Sequence, residues 1–514
     1  MIYDPTKLPD DPEQLKAIIV SLSQSNAELH AKLDKMTAEL QRITRLFEKF
    51  FNKSSEKLLQ EKQENQGAKD KQTPENQDSE ASKSKRGTKG GGGRNPLPPE
   101  LPRVEQVVEH EVPVCDCCDT PFKCIGEERS EQLHFKPMEL FVVVQILLKY
   151  IAACACSDVR SETVESPIKA DDKGVASNSL IAAIAVQKYM DHLPIARQSK
   201  QLFRRARVHL PESSMCRWMG LAASICKPLY DLMHQRLFLG FYVQMDASNV
   251  KYLDPLIKGK AGLGTIWGYH GDSTAPYILY DFQTNGTRAG PAAFLKGYLG
   301  FVQCDASTVN RGLFVGNEDA PPIVPGTELG CWSHCRRGFY DARILQPSSM
   351  EVLEMIGALY GIEKRAKNGS AEKRLLLRQQ ESVPMLNTIF DWCRSNKDKF
   401  DLPTDLLGKA IRYALNQESV LRIYCTDGRL EIDNNAAERI LRLIAIGRKN
   451  WQFYGSANGG KTGAVLHSIL ASAKRHGLNE YEYLLDVINV LVDLPSEAAK
   501  LDLLPDRWKP KASQ

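Results

Sequence analysis

Two short segments that each end in aspartate limit the folds open to this chain more than any other feature. Residues 241–246 (FYVQMD) and 301–305 (FVQCD) are rich in aromatic and β-branched residues, and small residues follow each of them. Runs of this kind predict β-strands. Each strand would therefore place one carboxylate, Asp246 or Asp305, at its carboxyl end.

A third carboxylate is predicted on a helix much later in the chain. An Asx-rich turn at 433–435 precedes apolar residues that repeat every three to four positions, which places Glu438 in the first turn of a helix. The repeating apolar residues are Ala437, Ile440, Leu441 and Ile444. Two roles stay open for Glu438. With Asn435 as the N-cap, Glu438 would close a capping box from the third helical position; alternatively, it is a functional acid.

The order of the elements around these acids predicts the fold class. Between the two aspartates the sequence predicts two more strands, at 266–269 and 277–280, and a helix at 290–300. Three strands, a helix and a fourth strand, with acids on the first and fourth strands, is the order of a ribonuclease H-like sheet. In that fold the third acid comes from a later helix. We therefore predict a multidomain α/β protein with a ribonuclease H-like catalytic core.

Several longer motifs surround the acids and give the chain a family resemblance. They are 55–58 (SEKL), 188–194 (KYMDHLP), 330–337 (GCWSHCRR), 432–439 (IDNNAAER) and 447–451 (GRKNW). Over nearly its whole length the chain resembles the DDE transposases of the insertion sequence sixty-six family (TnpC type). The resemblance implies that Asp246, Asp305 and Glu438 are the catalytic acids. The family's usual Asp-Glu-Thr and Asp-Gly-Tyr are replaced here by Asp-Ala-Ser at 246–248 and at 305–307.

The resemblance implies an enzyme that cuts and joins DNA. Three carboxylates offer the oxygen ligands that Mg²⁺ prefers, so we predict two Mg²⁺ ions, with Mn²⁺ as a substitute. Asp246 would bridge both ions, while Asp305 and Glu438 would each bind one. The expected partner is double-stranded DNA, both the element's terminal inverted repeats and the target. A catalytically inactive DNA-binding derivative and a nuclease of the same fold without joining activity are the alternatives.

Basic and aromatic side chains near the acids are the predicted DNA contacts. Those that follow Glu438 are Arg439, Arg442, Arg448, Lys449 and Trp451, which could neutralise phosphates or stack on a displaced base. A strand is predicted to end near His334, and a helix to run from Arg336 to Ile344. His334 would then lie near the scissile phosphate and Arg336 or Arg337 on the DNA backbone. A purely structural histidine is the alternative.

The remaining sequence predicts several domains. Apolar residues recur every seven positions from Leu15 to Phe50, with Asn26 in the seam, which predicts a two-stranded coiled coil and hence a homodimer or higher oligomer. The predicted divisions are 1–60 coiled coil, 61–98 disordered linker, 99–165 zinc-ribbon-like module, 170–238 helix-turn-helix-like domain, 239–345 first part of the catalytic core, 346–422 helical insertion, 423–480 second part of the core and 481–514 helical tail.

Cysteine spacing predicts one structural zinc ion in the third division. Cys115 and Cys118 have the spacing of a zinc knuckle, and Cys154 with Cys156 could complete a four-thiolate site. Buried cysteines without metal are the alternative. The resemblance also points to a zinc-ribbon-like module here.

Basic residues also cluster in two helical divisions. Arg204 and Arg205 lie in the predicted helix-turn-helix, where a plain helical spacer is the alternative. The predicted insertion carries Lys364, Arg365, Lys367, Lys373, Arg374 and Arg378, which form either a DNA-binding face or a solvated helix surface.

Charge and hydropathy set the remaining expectations. A net charge of +4 over 514 residues means that affinity for nucleic acid must come from local basic patches. No apolar run is long enough to span a membrane, and the N-terminus does not read as a secretion signal. We therefore predict a cytoplasmic protein associated with the bacterial nucleoid, without a membrane partner. The resemblance adds accessory proteins of the same mobile element as further partners.

Overall fold

The computed structural model describes the carboxyl-terminal two thirds of the chain. The described residues are 169–510 except 172–173, 255–260, 317–320, 401, 403–404 and 494, together with 11–12, 16, 140–143, 149–151 and 161–163. The chain divides into two compact units, Met1–His134 and Phe135–Gln514. The predicted linker, the four zinc-site cysteines and nearly all of the predicted coiled coil lie outside the described residues.

A mixed β-sheet lies at the centre of the second unit. Two short antiparallel strands come first in the chain, β1 (Lys149–Ile151) and β2 (Ser161–Thr163). The strands of the main sheet are β3 (Tyr242–Leu253), β4 (Ala261–Gly271), β5 (Ile278–Gln283), β6 (Phe301–Gln303), β7 (Thr327–Leu329) and β8 (Phe453–Tyr454). Their order is β5-β4-β3-β6-β7, and β8 pairs with the far end of β3. Strand β3 is antiparallel to β4 and parallel to β6, and β6 is parallel to β7.

Helices surround this sheet and make up most of the described chain. They are α1 (Asn178–Tyr189), α2 (Ile195–Ala206), α3 (Glu212–Leu237), α4 (Ala289–Phe294), α5 (Thr308–Phe314), α6 (Trp332–Ala342), α7 (Ser349–Ala366), α8 (Ala371–Leu377), α9 (Val383–Asn396), α10 (Leu406–Asn416), α11 (Glu418–Leu421), α12 (Asn435–Trp451), α13 (Ala457–Arg475), α14 (Glu480–Leu491) and α15 (Glu497–Asp502). A π-helical turn, Arg378–Ser382, joins α8 to α9. No helix among these described elements is long and apolar enough to cross a membrane.

The two faces of the sheet carry different cores because side chains alternate along each strand. Val243 and Met245 of β3 are buried on one face, in the same core as α1, α3, α13 and α14. Val250 and Tyr252 are buried on the opposite face against α12. The helices of the predicted domain 170–238 thus share a core with the sheet. Its second and third helices, α2 and α3, begin directly after Pro194 and Pro211, where the sequence predicts breaks.

The region predicted as a helical insertion has a core of its own. Within the described residues of 346–422 every regular element is helical, and their apolar sides pack together with α6. Of the basic residues proposed for its surface, Arg378 is instead fully buried. Its guanidinium forms an ion pair with Glu363, and it donates to backbone carbonyls of the segment that precedes α12. The prediction that Arg378 belongs to an exposed basic face is therefore wrong.

Three predicted element boundaries are also wrong. Strand β3 continues past Asp246 to Leu253, because its pairing with β4 extends to Leu253 opposite Ala261. The helix predicted at 290–300 ends at Phe294, and Gly297 then takes a positive φ of 84°. No strand ends near His334: β7 stops at Leu329, and His334 lies in the first turn of α6.

Candidate active site

The neighbouring strands β3 and β6 bring Asp246 and Asp305 to the same part of the sheet. The two strands are parallel, with Gln244 paired to Gln303, so each aspartate lies two residues beyond an equivalent position. Asp246 accepts a hydrogen bond from the N–H of Ala247 at 2.7 Å, which fixes one carboxylate oxygen. Although Asp246 lies within its strand, Asp305 lies beyond the end of β6, as predicted.

The position of Asp305 is fixed by the turn that leads into α5. Its Oδ1 accepts hydrogen bonds from Asn310 Nδ2 at 2.5 Å and from the N–H of Ser307 at 3.2 Å. Ser307 is the N-cap of α5 and accepts from the N–H of Asn310. The start of a short helix therefore holds one oxygen of this carboxylate, Oδ1.

Helix α12 carries Glu438 over the same part of the sheet. Gly268 of β4, which pairs with Asp246, permits the close approach, since a Cβ there would lie 3.1 Å from Leu441 and 3.2 Å from Ile440. The helix begins one residue earlier than predicted, with Asn434 as N-cap, so Glu438 occupies the fourth helical position. A capping box requires the third position, and the capping-box interpretation is therefore wrong.

The side chain of Glu438 points toward α6. Its Oε1 lies 3.8 Å from His334 Nε2, while His334 Nδ1 is buried without a hydrogen-bond partner among the described residues. The structure therefore brings His334 beside the third acid, as the predicted site requires, although on a helix and not on a strand.

Burial and the two neighbouring carboxylates both act on the pKa of Asp246. Burial raises the pKa of Asp246 to about 7, and repulsion by Asp305 and Glu438 adds to this effect, against the opposing hydrogen bond from Ala247. Among the described residues, no three His, Cys, Asp or Glu side chains are close enough to enclose a single metal ion. The acids are therefore close neighbours that repel one another, without forming a closed cage.

The raised pKa of Asp246, caused mainly by burial and also by repulsion, predicts that this carboxylate destabilises the fold at neutral pH. Between pH 3.8 and about 7 the folded Asp246 keeps a proton that the unfolded chain has lost, so stability falls as the pH rises through this window. A pKa raised by one in the folded state corresponds to about 1.4 kcal/mol less free energy of unfolding above this window. Asp246→Asn should therefore raise Tm by a few degrees at pH 8 without divalent ions, and by less at pH 5.

Thermal unfolding of both proteins at the two pH values would measure this difference. Asp341→Asn, which removes an exposed carboxylate from α6, is the matched control and should change Tm little at either pH. A lower Tm for Asp246→Asn at pH 8 would contradict the raised pKa of Asp246.

The predicted DNA contacts on α12 separate into two groups. Arg439, Arg442 and Lys449 are exposed and remain candidates. Arg448 is partly buried and donates to the Ser248 hydroxyl at 2.9 Å and to the carbonyl of Asn249, so it holds α12 on β3. The Trp451 ring packs on Tyr454, with 4.6 Å between ring centroids, and covers Gly447. These contacts give Arg448 and Trp451 structural roles in this conformation.

The other predicted DNA contacts lie on α6 and α2. Arg337 is exposed, whereas Arg336 is half-buried, with its guanidinium 5.7 Å from the Tyr340 ring. Arg204 and Arg205 are exposed in the last turn of α2. Their position on the surface fits a DNA contact, which stays a prediction.

Sequence reasoning missed the polar groups that hold the acids in place. Cys331 donates to the buried Asn434 side chain at 3.0 Å, and Tyr360 donates to Asp433 at 2.9 Å, both at the entrance to α12. Gln244 and Gln303 are buried beneath the same turn. One signal was present in the sequence, because Gln-x-Asp occurs at both aspartates.

Comparison with known proteins agrees with the resemblance in the sequence. The family model described as "Transposase IS66 family" matches residues 173–462, and the model described as "zinc-finger binding domain of transposase IS66" matches residues 113–157. Two similar relatives are uncharacterized proteins of Sinorhizobium fredii. Protein y4qI is 28% identical over the full length of both chains. Protein y4jD is 31% identical over 80% of this chain and 81% of its own.

The first family model covers more than half of the chain, including all three acids, and the second covers all four predicted zinc-site cysteines. This chain belongs to the IS66 family of transposases.

Proposed function

We propose that this protein is a DDE transposase that cuts the ends of its own insertion sequence and joins them to target DNA. The observation that carries the proposal is the meeting of three carboxylates from separate elements, Asp246 of β3, Asp305 after β6 and Glu438 of α12. Burial is the main cause of the raised pKa of Asp246, and repulsion by Asp305 and Glu438 raises it further. A buried acid whose pKa is perturbed and that lies beside other acids is typical of a functional site.

The sheet topology supports the same interpretation. Three antiparallel strands, β3, β4 and β5, are followed by a crossover to β6 and β7, which add in parallel on the other side of β3. The sequence predicted three strands, a helix and a fourth strand along the chain, as in a ribonuclease H-like core, and β3, β4, β5, α4 and β6 follow that order. Asp246 lies in β3 and Asp305 just beyond the parallel strand β6, while α12, which carries Glu438, packs on β3 and β4.

The acids fit Mg²⁺ because all three offer hard oxygen donors. Two ions would divide the carboxylates between them, so the absence of a three-ligand cage among the described residues does not conflict with this arrangement. When bound, such ions lower the pKa of water and stabilise charge on phosphate oxygens. Asp246, Asp305 and Glu438 would hold them, with Mn²⁺ as a substitute.

The chain's own cations would position the DNA. Exposed Arg439 and Arg442 continue from Glu438 along α12, and Arg337 is exposed on the neighbouring α6. Guanidinium groups at these places can neutralise the phosphates on either side of a scissile bond. His334, whose Nε2 lies 3.8 Å from Glu438 Oε1, would donate to a phosphate oxygen.

The experiment that tests the proposal uses the protein with DNA carrying the ends of its element. With Mg²⁺ we expect strand breaks at both ends and recovery of ends joined to a target plasmid, and EDTA should abolish both products. Cutting without joining would indicate a nuclease. Specific binding of the ends without metal-dependent cutting would indicate an inactive derivative and would contradict the proposal.

The zinc-finger match supports a separate structural metal in residues 113–157. We predict one zinc ion per chain, held by Cys115, Cys118, Cys154 and Cys156. Metal analysis of the purified full-length protein should find this ion, and Cys118→Ser should lose it because only three thiolates remain. Cys124→Ser is the matched control and should retain zinc. Full zinc content in Cys118→Ser would reject this ligand set.

A further inference from the structure

A pair of buried glutamines connects the three elements that carry the acids. Gln244 and Gln303 face each other on β3 and β6, two residues before Asp246 and Asp305. Their side chains are 2% and 0% exposed and share a hydrogen bond of 2.9 Å from Gln244 Nε2 to Gln303 Oε1. The hydroxyl of Tyr242 donates to the same Oε1. Buried amide groups are nearly always hydrogen-bonded, and connected networks of them make the local structure rigid.

Gln244 binds the beginning of α12 directly. Its Nε2 donates to the carbonyl of Asp433 at 2.9 Å, and its Oε1 accepts from the N–H of Ala437 at 3.2 Å. The N-cap residue Asn434 makes no capping bond with its own side chain. The free N–H of the third helical residue is therefore satisfied by a side chain of β3, which caps the helix from outside.

Gln303 makes corresponding contacts to the segments that lead into α6 and α12. Its Nε2 donates to the carbonyls of Gly330 and Glu431, each at 3.0 Å. Gly330 lies between β7 and α6, the helix of His334, while Glu431 lies in the segment that enters α12. Gln303 thus joins the strand of the second acid to the two segments that flank the third.

From these contacts we infer that Gln244 and Gln303 act together as positioning residues, which set the separation of Glu438 from Asp246 and Asp305 and so tune the affinity of the site for divalent cations. This inference rests on the proposed function. Each glutamine lies two residues before its aspartate in the chain, so the contacts that hold the glutamine also fix the backbone next to the carboxylate. A shift of α12 relative to β3 would therefore break the glutamine contacts and separate the carboxylates at the same time.

Mn²⁺ binding to the full-length protein, measured as the loss of the free Mn²⁺ signal in electron paramagnetic resonance, tests the inference without a cleavage assay. Gln244→Met and Gln303→Met keep side-chain volume but remove the amide. Each should weaken binding by roughly tenfold or more, as is usual when groups behind a metal ligand are removed. The double variant should be little weaker than either single one, because the two amides share one network.

Gln198→Met is the matched control. Gln198 is also buried, at 1% exposure, and donates to the carbonyls of Ile184 and Leu193, but it lies on α2, away from the acids. It should lower thermal stability without a change in Mn²⁺ affinity. Asp246→Asn should abolish the Mn²⁺ binding.

The outcomes separate the inference from the proposed function. If Asp246→Asn binds Mn²⁺ like the wild type, the proposed metal site is wrong. If Asp246→Asn loses binding but both glutamine variants match Gln198→Met, the positioning role is overturned and the proposed function stands. Near-UV circular dichroism checks folding. If a methionine variant fails to fold, Gln303→Asn is measured in its place, because asparagine retains the amide but cannot reach Gly330. Failure of Gln303→Asn to fold would also overturn the inference, because it would show a role in folding alone.

Discussion

Glu438→Gln should reduce Mg²⁺-dependent cutting of element ends by roughly 10³-fold or more while end binding stays near the wild-type level. The magnitude is that expected when one member of a catalytic set that works as a unit is removed. A glutamine keeps the shape of Glu438 and one acceptor oxygen, but it removes one negative charge from a site that must attract divalent ions. Cleavage of labelled DNA ends, with binding measured on the same preparations, provides the test.

Two matched comparisons sharpen this test. Asp246→Asn and Asp305→Asn should cause similar losses, and any double variant should be no worse than the single ones, because the three acids act together. Glu431→Gln is the control, because it removes a carboxylate that lies near the same helix but pairs with Arg374 at 3.2 Å. This variant should cut DNA normally. Normal cutting by Glu438→Gln, with loss in Glu431→Gln, would move the third acid to Glu431.

The positions of the acids could be predicted from sequence because they depend on local patterns. Short runs of aromatic and β-branched residues predicted β3 and β6, and apolar residues that repeat every three to four positions predicted α12. The length of β3 could not be predicted in the same way. It continues to Leu253 because β4 pairs with it and because β8, about 200 residues later in the chain, adds beside Tyr252.

The roles of basic residues were harder to predict, because sequence does not reveal which side of a helix is buried. Arg448 and Arg442 both follow Glu438, yet Arg442 is exposed and Arg448 bonds to β3. Arg378 is one of several basic residues predicted to form a DNA-binding face or a solvated helix surface, but it lies at the start of the π-helical turn and is buried in the core. The same limit applies to Gln244, since its partners are nearly 200 residues away in sequence.

Arg378→Met should cause the largest loss of stability of any variant considered, about 3–5 kcal/mol, which is typical when one partner of a buried ion pair is removed. The Arg378 side chain is 0% exposed and Glu363 is 12% exposed. Arg378 Nε and Nη2 donate to Glu363 at 2.8 and 2.7 Å. Nη1 donates to the carbonyls of Tyr424 and Asp427, and Nη2 also donates to the carbonyl of Leu430. Urea unfolding of the purified protein would measure the loss.

The reason for so large an effect is that the substitution leaves several groups without partners. Methionine fills part of the volume, but the Glu363 carboxylate stays buried and three carbonyls lose their donor. Adding Glu363→Gln should therefore recover part of the loss, since an amide is less costly to bury than a charge. The measured coupling between the two positions should be clearly different from zero.

The matched control is the second ion pair between the same two elements. Arg365 of α7 pairs with Glu381 of the π-helical turn, but both side chains are exposed, at 58% and 40%. Solvent screens such a pair, so Arg365→Met should cost no more than about 1 kcal/mol. Equal losses for Arg365→Met and Arg378→Met would show that burial of the ion pair is not what matters. If Arg378→Met loses more stability than Arg365→Met, as expected, it should also cut DNA poorly. The lost contacts to Asp427 and Leu430 would loosen the segment that leads into α12 and Glu438.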